Sequence, residues 1–199
     1  KMVEHGTVKS VFEAPQAEAR IEIGRLGREL CLYPGRLGYD LQEELDFLSN
    51  RAMEPNVFFS GRFLAPAMPR LEDRQVNFAI IRDENEHRSR MRLLMPFSVD
   101  KPGFAVGPSI IRGWANSFGP LGTPLVDAEE AAETLDNLFE GLVTPDLGLP
   151  GTLVLPDIRL NGIFVRMAKA VALSRNLPLT VANPYERPML QSDDDAMVY

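Results

Sequence analysis

Between Val76 and Phe97 two extended-type runs flank a short polar stretch, Asp83-Glu84-Asn85-Glu86-His87, and no other feature of the sequence constrains the fold as much. In the second run Met91, Leu93, Met95 and Phe97 alternate with Arg90 and Arg92, which is the period of a half-buried strand. Two such runs joined by so short a connection predict an antiparallel hairpin, and hence a sheet at the centre of the chain.

The flanking text supplies partners for that sheet. Upstream, Ile21 and Ile23 alternate with Glu22 ahead of Leu30-Cys31-Leu32-Tyr33, which reads as a strand or hairpin stopped by Pro34-Gly35. Leu41, Leu45, Leu48 and Ala52 then share one helix face that must end before Pro55, with Asp40 and Glu43 placed as a capping pair. Ser60 is the expected N-cap of a shorter helix carrying Phe63, Leu64 and Met68, cut by Pro66 and Pro69.

Downstream, Pro108 to Phe118 reads as extended. Asp127 and Glu130 repeat the capping arrangement before the stripe Ala131, Leu135, Leu138, Phe139 and Leu142, ending near Gly141. Gly151 to Leu155 is expected to be a short buried strand, and Asn161 to cap a helix carrying Ile163, Phe164, Met167 and Val171 that Pro178 stops. Leu179 to Ala182 makes a last strand. Residues 1–19 have no sustained period and read as a poorly structured leader. Residues 20–186 form the domain and 187–199 read as a linker, with Ser192 to Tyr199 holding too little apolar content to pack alone.

Composition excludes several classes. One cysteine, Cys31, forbids an intrachain disulfide, and His5 and His87 add too few ligands for a tetrahedral zinc site, so no metal site is expected. No apolar run reaches the roughly 18 residues a membrane span needs, and Glu4, Glu13, Glu18 and Glu22 interrupt any signal core, so a cytoplasmic location and no membrane partner are expected. With 21 Lys and Arg against 28 Asp and Glu, and the two signs interleaved, nucleic acid is not an expected partner.

The order of these elements is strand, helix, helix, three strands, helix, strand, helix, strand. It resembles that of the acetyl-CoA-dependent N-acetyltransferase (GNAT) superfamily. Two phrases sharpen the likeness: Pro55-Asn56-Val57-Phe58-Phe59-Ser60 leading to Arg62-Phe63-Leu64-Ala65-Pro66-Ala67, and Phe118-Gly119-Pro120-Leu121-Gly122-Thr123-Pro124-Leu125-Val126-Asp127. They resemble the amino-terminal half of the CelD-like acetyltransferases, associated with cellulose or exopolysaccharide biosynthesis.

The resemblance implies an α/β (α+β) GNAT-like fold, a central mixed and mostly antiparallel sheet flanked by helices, over about residues 20–199. It also implies a second GNAT-like half beyond this chain, with 187–199 as the linker toward it. For the parent protein it implies acyl transfer from acetyl-CoA or another acyl-CoA to an amine or hydroxyl of a small-molecule or saccharide acceptor.

In that superfamily the CoA pyrophosphate rests on a loop of the type Arg/Gln-x-x-Gly-x-Gly/Ala at a helix N-terminus. The corresponding stretch is taken as Asn116 to Pro124, where neither glycine register fits and Pro120 and Pro124 each remove an amide donor. Asp127, Glu129 and Glu130 in the next helix's first turn would repel phosphate. Hence no cofactor site is expected in this chain, with Gly119, Gly122 and Thr123 the candidates if there were one, and the chain alone is expected to be inactive.

Trp114, Asn116 and Ser117 flank the same loop and are the candidate acceptor-binding residues, set against core packing for Trp114 and turn chemistry for the others. No catalytic residue is assigned. Arg82, Arg88, Arg90 and Arg92 alternate with Asp83, Glu84 and Glu86 and read as a solvated hairpin laced with ion pairs. Cys31 reads as a small buried hydrophobe, His87 as an exposed turn residue, and Gly24 to Gly27 and Gly35 to Gly38 as two turns.

Two functions fit. One is the amino-terminal half of a GNAT-family acyltransferase. The other is a non-catalytic GNAT-like interaction module acting through a partner chain. Either leaves a face or edge for a second GNAT-like half or a second copy to cover, so a homo-oligomer is expected of the isolated chain.

Overall fold

The hairpin forms the middle of the sheet. Its strands, β3 (Asn77–Asn85) and β4 (Arg88–Asp100), pair antiparallel around a turn at Glu86 and His87. Asn85 sets the turn, because its Oδ1 accepts the amides of His87 at 3.1 Å and Arg88 at 2.9 Å. His87 is exposed there, as expected.

The computed structural model describes residues 15–64, 66–67, 75–101, 107–115, 121–182 and 187–191. Before the hairpin come β1 (Ala19–Glu22), β2 (Arg28–Pro34) and α1 (Gln42–Arg51), with a short helical stretch at 61–64. After it come β5 (Ile110–Gly113), β6 (Leu125–Val126), α2 (Ala131–Leu142) and β7 (Thr152–Val154). α3 (Ile163–Ser174), β8 (Leu179–Ala182) and β9 (Arg187–Gln191) complete the order.

The strands described form one sheet in the order β1-β2-β3-β4-β5-β7-β9-β8, with β6 against β4. Every pairing is antiparallel except β5 with β7, where Ile111 faces Leu153 and Arg112 faces Val154. This is the mixed, mostly antiparallel sheet flanked by helices that the sequence predicts.

Both faces of the sheet are covered. On one side α2 and α3 pack Leu135, Leu138, Phe139, Phe164 and Val171 over Leu30, Ile81, Leu93 and Phe97. On the other, α1 and the following turn pack Leu41, Leu45, Leu48, Phe59 and Leu64 over Cys31, Phe78, Ile80 and Leu94.

The half-buried reading of β4 is therefore corrected, and so is its stripe. A bulge lets Ile81 face Leu93 and Arg82 face Met91, so Arg92 has no partner across the ladder. Beyond the bulge the faces switch: Met91 joins the α1 side while Leu93, Met95 and Phe97 stay under α2 and α3.

Helix starts also differ from expectation. α1 has Leu41 at its N-cap and no side-chain cap, so Asp40 does not cap it. Leu41, Leu45 and Leu48 are fully buried, and at about 1.5–3 kcal/mol each their burial outweighs an absent cap of about 1 kcal/mol. The Ser60 hydroxyl donates to the Val57 carbonyl instead of accepting an amide, and Met68 lies outside the described residues.

Glu130, not Asp127, stands at the N-cap of α2, in a left-handed conformation (φ 58°) with no side-chain cap. Gly162, not Asn161, stands at the N-cap of α3. The reading of 187–199 as a linker is corrected over its first residues, since β9 fills the gap between β7 and β8 and pairs antiparallel with both. Residues 192–199, and 1–14 of the expected leader, lie outside the described residues.

Candidate functional site

Ligands of sheet proteins gather where parallel strands end and helices begin, because free backbone groups converge there. Here those places are the first turn of α2 and the carboxyl ends of β5 and β7.

The approach to α2 is set by how β4 is partnered. Along its second half β4 pairs with β5, from Asp100 opposite Ile110 to Phe97 opposite Gly113. The Trp114 amide then donates to the Pro96 carbonyl at 2.8 Å. The chain leaves the sheet and returns at β6, where Leu125 faces Leu94 and Val126 faces Leu93. β5 and β6 thus share one edge of β4, and the loop that enters α2 is Asp127-Ala128-Glu129-Glu130. The expected assignment of the pyrophosphate-type loop to Asn116–Pro124 is corrected accordingly: β6 stands between that stretch and the helix.

The α2 entry is charged and closed. Arg28, wholly buried, grips Asp83 with Nε–Oδ1 at 2.7 Å and NH2–Oδ2 at 3.0 Å, and its third nitrogen donates to Asn137 of α2 at 3.0 Å. Arg92, turned to this side by the bulge, donates to Asp83 at 2.8 Å and to Asp127 at 3.4 Å. Arg51 and Arg90 each reach Asp127 at 3.0 Å, and Arg90 also reaches Glu129 at 3.0 Å. Arg25 bridges Asp83 and Glu130, both at 2.8 Å, with Glu133 beside it at 3.8 Å.

Five arginines thus face five carboxylates, Asp83, Asp127, Glu129, Glu130 and Glu133. Burial alone would push the Asp83 and Asp127 carboxyls up. Hydrogen bonds from Arg28, Arg25 and Arg92 to the first, and from the Glu129 amide and Arg51 to the second, hold both below the ordinary range. Glu130 is held low chiefly by its bond from Arg25. The reading of the hairpin arginines as solvent-facing is corrected for Arg82 and Arg92, which are buried, and is met for Arg88, which is exposed. The sequence also gave no hint that Arg28 and Asn137 belong to this cluster. Gly24 takes part by its lack of a side chain, since at φ 68° an added Cβ would lie 2.5 Å from the Asn137 amide group.

The mouth at the ends of β5 and β7 is polar and mostly uncharged. Asn56, wholly buried, donates through Nδ2 to the carbonyls of Leu121 (3.0 Å) and Thr123 (2.9 Å), and its Oδ1 accepts the Phe58 amide at 3.1 Å. Glu54, only 6% exposed, accepts from the Thr123 hydroxyl at 3.3 Å and from the Phe164 amide at 3.2 Å, at the start of α3. That carboxylate supplies the cap that Asn161 was expected to give, and an added Cβ on Gly162 would lie 2.2 Å from its Oε1. The Gly122 amide donates to the Asp157 carbonyl at 3.0 Å, and a Cβ on Gly122 would meet the Pro156 carbonyl at 2.2 Å.

Of the residues singled out from sequence, Thr123 is buried and Gly122 is wedged against β7's continuation. Trp114 is half-buried and stacks on Phe59 with ring centres 6.2 Å apart. Asn116, Ser117 and Gly119 lie outside the described residues. Cys31 is buried, and burial pushes its thiol up to about 11, in keeping with a packing role. Glu54 and Asn56 were missed, although Asn56 sits inside one of the two phrases carrying the family resemblance.

Among the described residues no group of three or more His, Cys, Asp or Glu side chains could hold a metal ion. No described helix is long and apolar enough to cross a membrane. No protein-family model matches the chain, and no curated protein matches it. Among solved structures the chain is similar to the ribosomal-protein-S5-alanine acetyltransferase from Vibrio fischeri. The two are 13% identical with a TM-score of 0.45, over 89% of this chain and 98% of that one. The likeness is slight, and the fold is read here from the strand order itself.

Proposed function

We propose that this chain is a GNAT-like, acceptor-side or scaffolding half of an acyltransferase, working with a second GNAT-like half or a second copy that holds the acyl-CoA. The observation that carries this reading is the closed α2 entry. A pyrophosphate needs free amides and unshared positive charge at that turn. The Glu129 amide is already given to Asp127, at 3.0 Å, and each arginine of the cluster already has a carboxylate partner. An incoming anion would have to displace carboxylates from these pairs, the most buried of which join Arg28 to Asp83 and Arg92 to Asp127, so acyl-CoA does not fit this turn and no step of acyl transfer is assigned to these residues.

The same conclusion is supported at the mouth, where the limb 121–123 lies against the continuation of β7. The CelD-like phrases make a saccharide the first acceptor class to try, with Trp114 as the aromatic beside it.

Calorimetric titration of acetyl-CoA into the protein tests the reading. The expected result is no saturable heat. Saturable binding, with chemical-shift changes at Asp127 to Ala131, would overturn it. Addition of the partner half is expected to restore binding.

A further inference from the structure

We infer that residues 121–123 are a plug in the mouth between β5 and β7, held shut by a latch on a single strap, with Glu54 and Asn56 as its positioning residues. The inference goes beyond the proposed function and stands whether or not this chain ever meets an acyl donor.

The strap is the segment after α1. It runs antiparallel beside the returning limb, with an isolated bridge between Ala52 and Asp127 and the Met53 amide donating to the Val126 carbonyl at 2.8 Å. Two side chains two residues apart on it then reach across. Asn56 takes the carbonyls of Leu121 and Thr123, and Glu54 takes the Thr123 hydroxyl. Glu54 also holds the Phe164 amide, so the same carboxylate ties the plug to the start of α3.

On its far side, among the described residues, the plug is fixed by the backbone bond from Gly122 to Asp157, itself in a left-handed conformation at φ 53°. Gly113 packs directly on Leu155 and Pro156, and beyond that contact the plug stands between Ala115 and the Pro156–Asp157 backbone: Ala115 Cβ lies 3.4 Å from the position of a Gly122 Cβ, and the Pro156 carbonyl 2.2 Å from it. Among the described residues the bonds from the strap to the plug are side-chain in origin, whereas β5 and β7 beside it are held by ladders. The plug can therefore open without the sheet coming apart.

Hydrogen exchange of the Gly122 amide reads this opening directly. In the wild-type protein the amide is expected to be protected, yet to exchange about 100-fold faster than the Leu93 amide of β4. Asn56→Asp keeps the size of the side chain and removes both donors, and is expected to speed Gly122 exchange by a further factor of about 100, with Leu93 changed far less. Thr123→Val, which removes only the hydroxyl bond, is expected to give about 10-fold and covers the case in which the Asn56 variant does not fold.

Gly122 and Leu93 exchanging together in the wild type and in a folded variant would overturn the latch, since the limb would then open only with the whole domain. A Gly122 amide without protection in the wild type would overturn it as well. Acetyl-CoA binding by the wild type, by contrast, would remove the proposed function and leave the exchange result to decide the latch.

Discussion

The two buried polar junctions of this molecule solve the same problem in opposite ways. At the α2 entry the chain takes Arg28, Arg92 and Asp127 out of water and matches each guanidinium of the cluster with a carboxylate. At the β5–β7 mouth it uses amide and hydroxyl groups, with Glu54 as the one carboxylate of the junction. Breaking a buried ion pair strands a charge, while breaking a neutral hydrogen bond leaves a polar group that water can reach if the segment moves. The first junction should therefore hold the domain together, and the second should set how far one segment can move.

Removing Asp83 breaks the first junction most severely, because Arg25, Arg28 and Arg92 all bond to it and Arg28 is fully buried. Asp83→Ala is expected to lower stability by about 3–5 kcal/mol, read from urea unfolding monitored at Trp114. A loss below about 1 kcal/mol would mean that the arginines find other partners.

Next in size is Gly122→Ala, which drives a methyl into the Pro156 carbonyl. The expected cost is about 1–3 kcal/mol, as for overpacking elsewhere. In contrast to Asp83→Ala, the perturbation should show in amide shifts around Asp157 and leave the α2 entry unchanged. Shifts spreading to Asn137 would show that the two junctions are coupled.

Acid sharpens the comparison further. Asp83, Asp127 and Glu130 have folded-state values depressed below those of the unfolded chain. Their contribution is complete above the unfolded value of about 4 and is lost as pH falls through the folded values. The urea midpoint is expected to fall steeply below about pH 4, and Asp83→Ala is expected to flatten that slope. Equal slopes for the two proteins would remove Asp83 from the account.

The smallest effect is expected at Arg112, whose 2.8 Å bond to Asp100 joins β4 and β5 at a partly exposed site. Arg112→Ala should cost no more than about 1 kcal/mol and should do so less at high salt. A larger, salt-independent loss would show that ion pairs on this sheet need no burial to matter.

Periodicity revealed the elements here, and failed where a residue answers to a distant partner. The stripes at Leu41, Leu45 and Leu48 and at Leu135, Leu138 and Phe139 mark α1 and α2 correctly, because burial follows the helical repeat. The expected caps fail where the polar group is used elsewhere or where burial sets the helix start without it, as at α1. Asp127 serves three arginines, and α3 takes its cap from Glu54, over a hundred residues away in sequence.

β6 is too short to leave a period, and β9 owes its place to pairing with strands on both sides, β7 and β8, which no local pattern records. The bulge at Arg92 has no signature in the alternating run, yet it carries that arginine to the α2 entry. Of the candidate site, Gly122 and Thr123 lie in a Gly/Pro-rich phrase that stands out in the sequence, and Trp114 is the aromatic that flanks it. Glu54 and Asn56, which hold that phrase in place, look from sequence like ordinary polar residues in a connection.

The way β4 is shared has one more consequence. The amide of Trp114 is bonded at Pro96 and the strand position is taken up again where Leu125 faces Leu94, so Trp114 and Leu125 stand about 7 Å apart along β4 at strand spacing. Each is anchored to the sheet independently. The cost of closing a longer segment between fixed ends rises only slowly with its length. Positions 116–120 of the sequence are therefore where descendants of this chain can exchange, lengthen or shorten sequence and acquire new recognition, while the latched residues 121–123 and the domain beneath stay as they are.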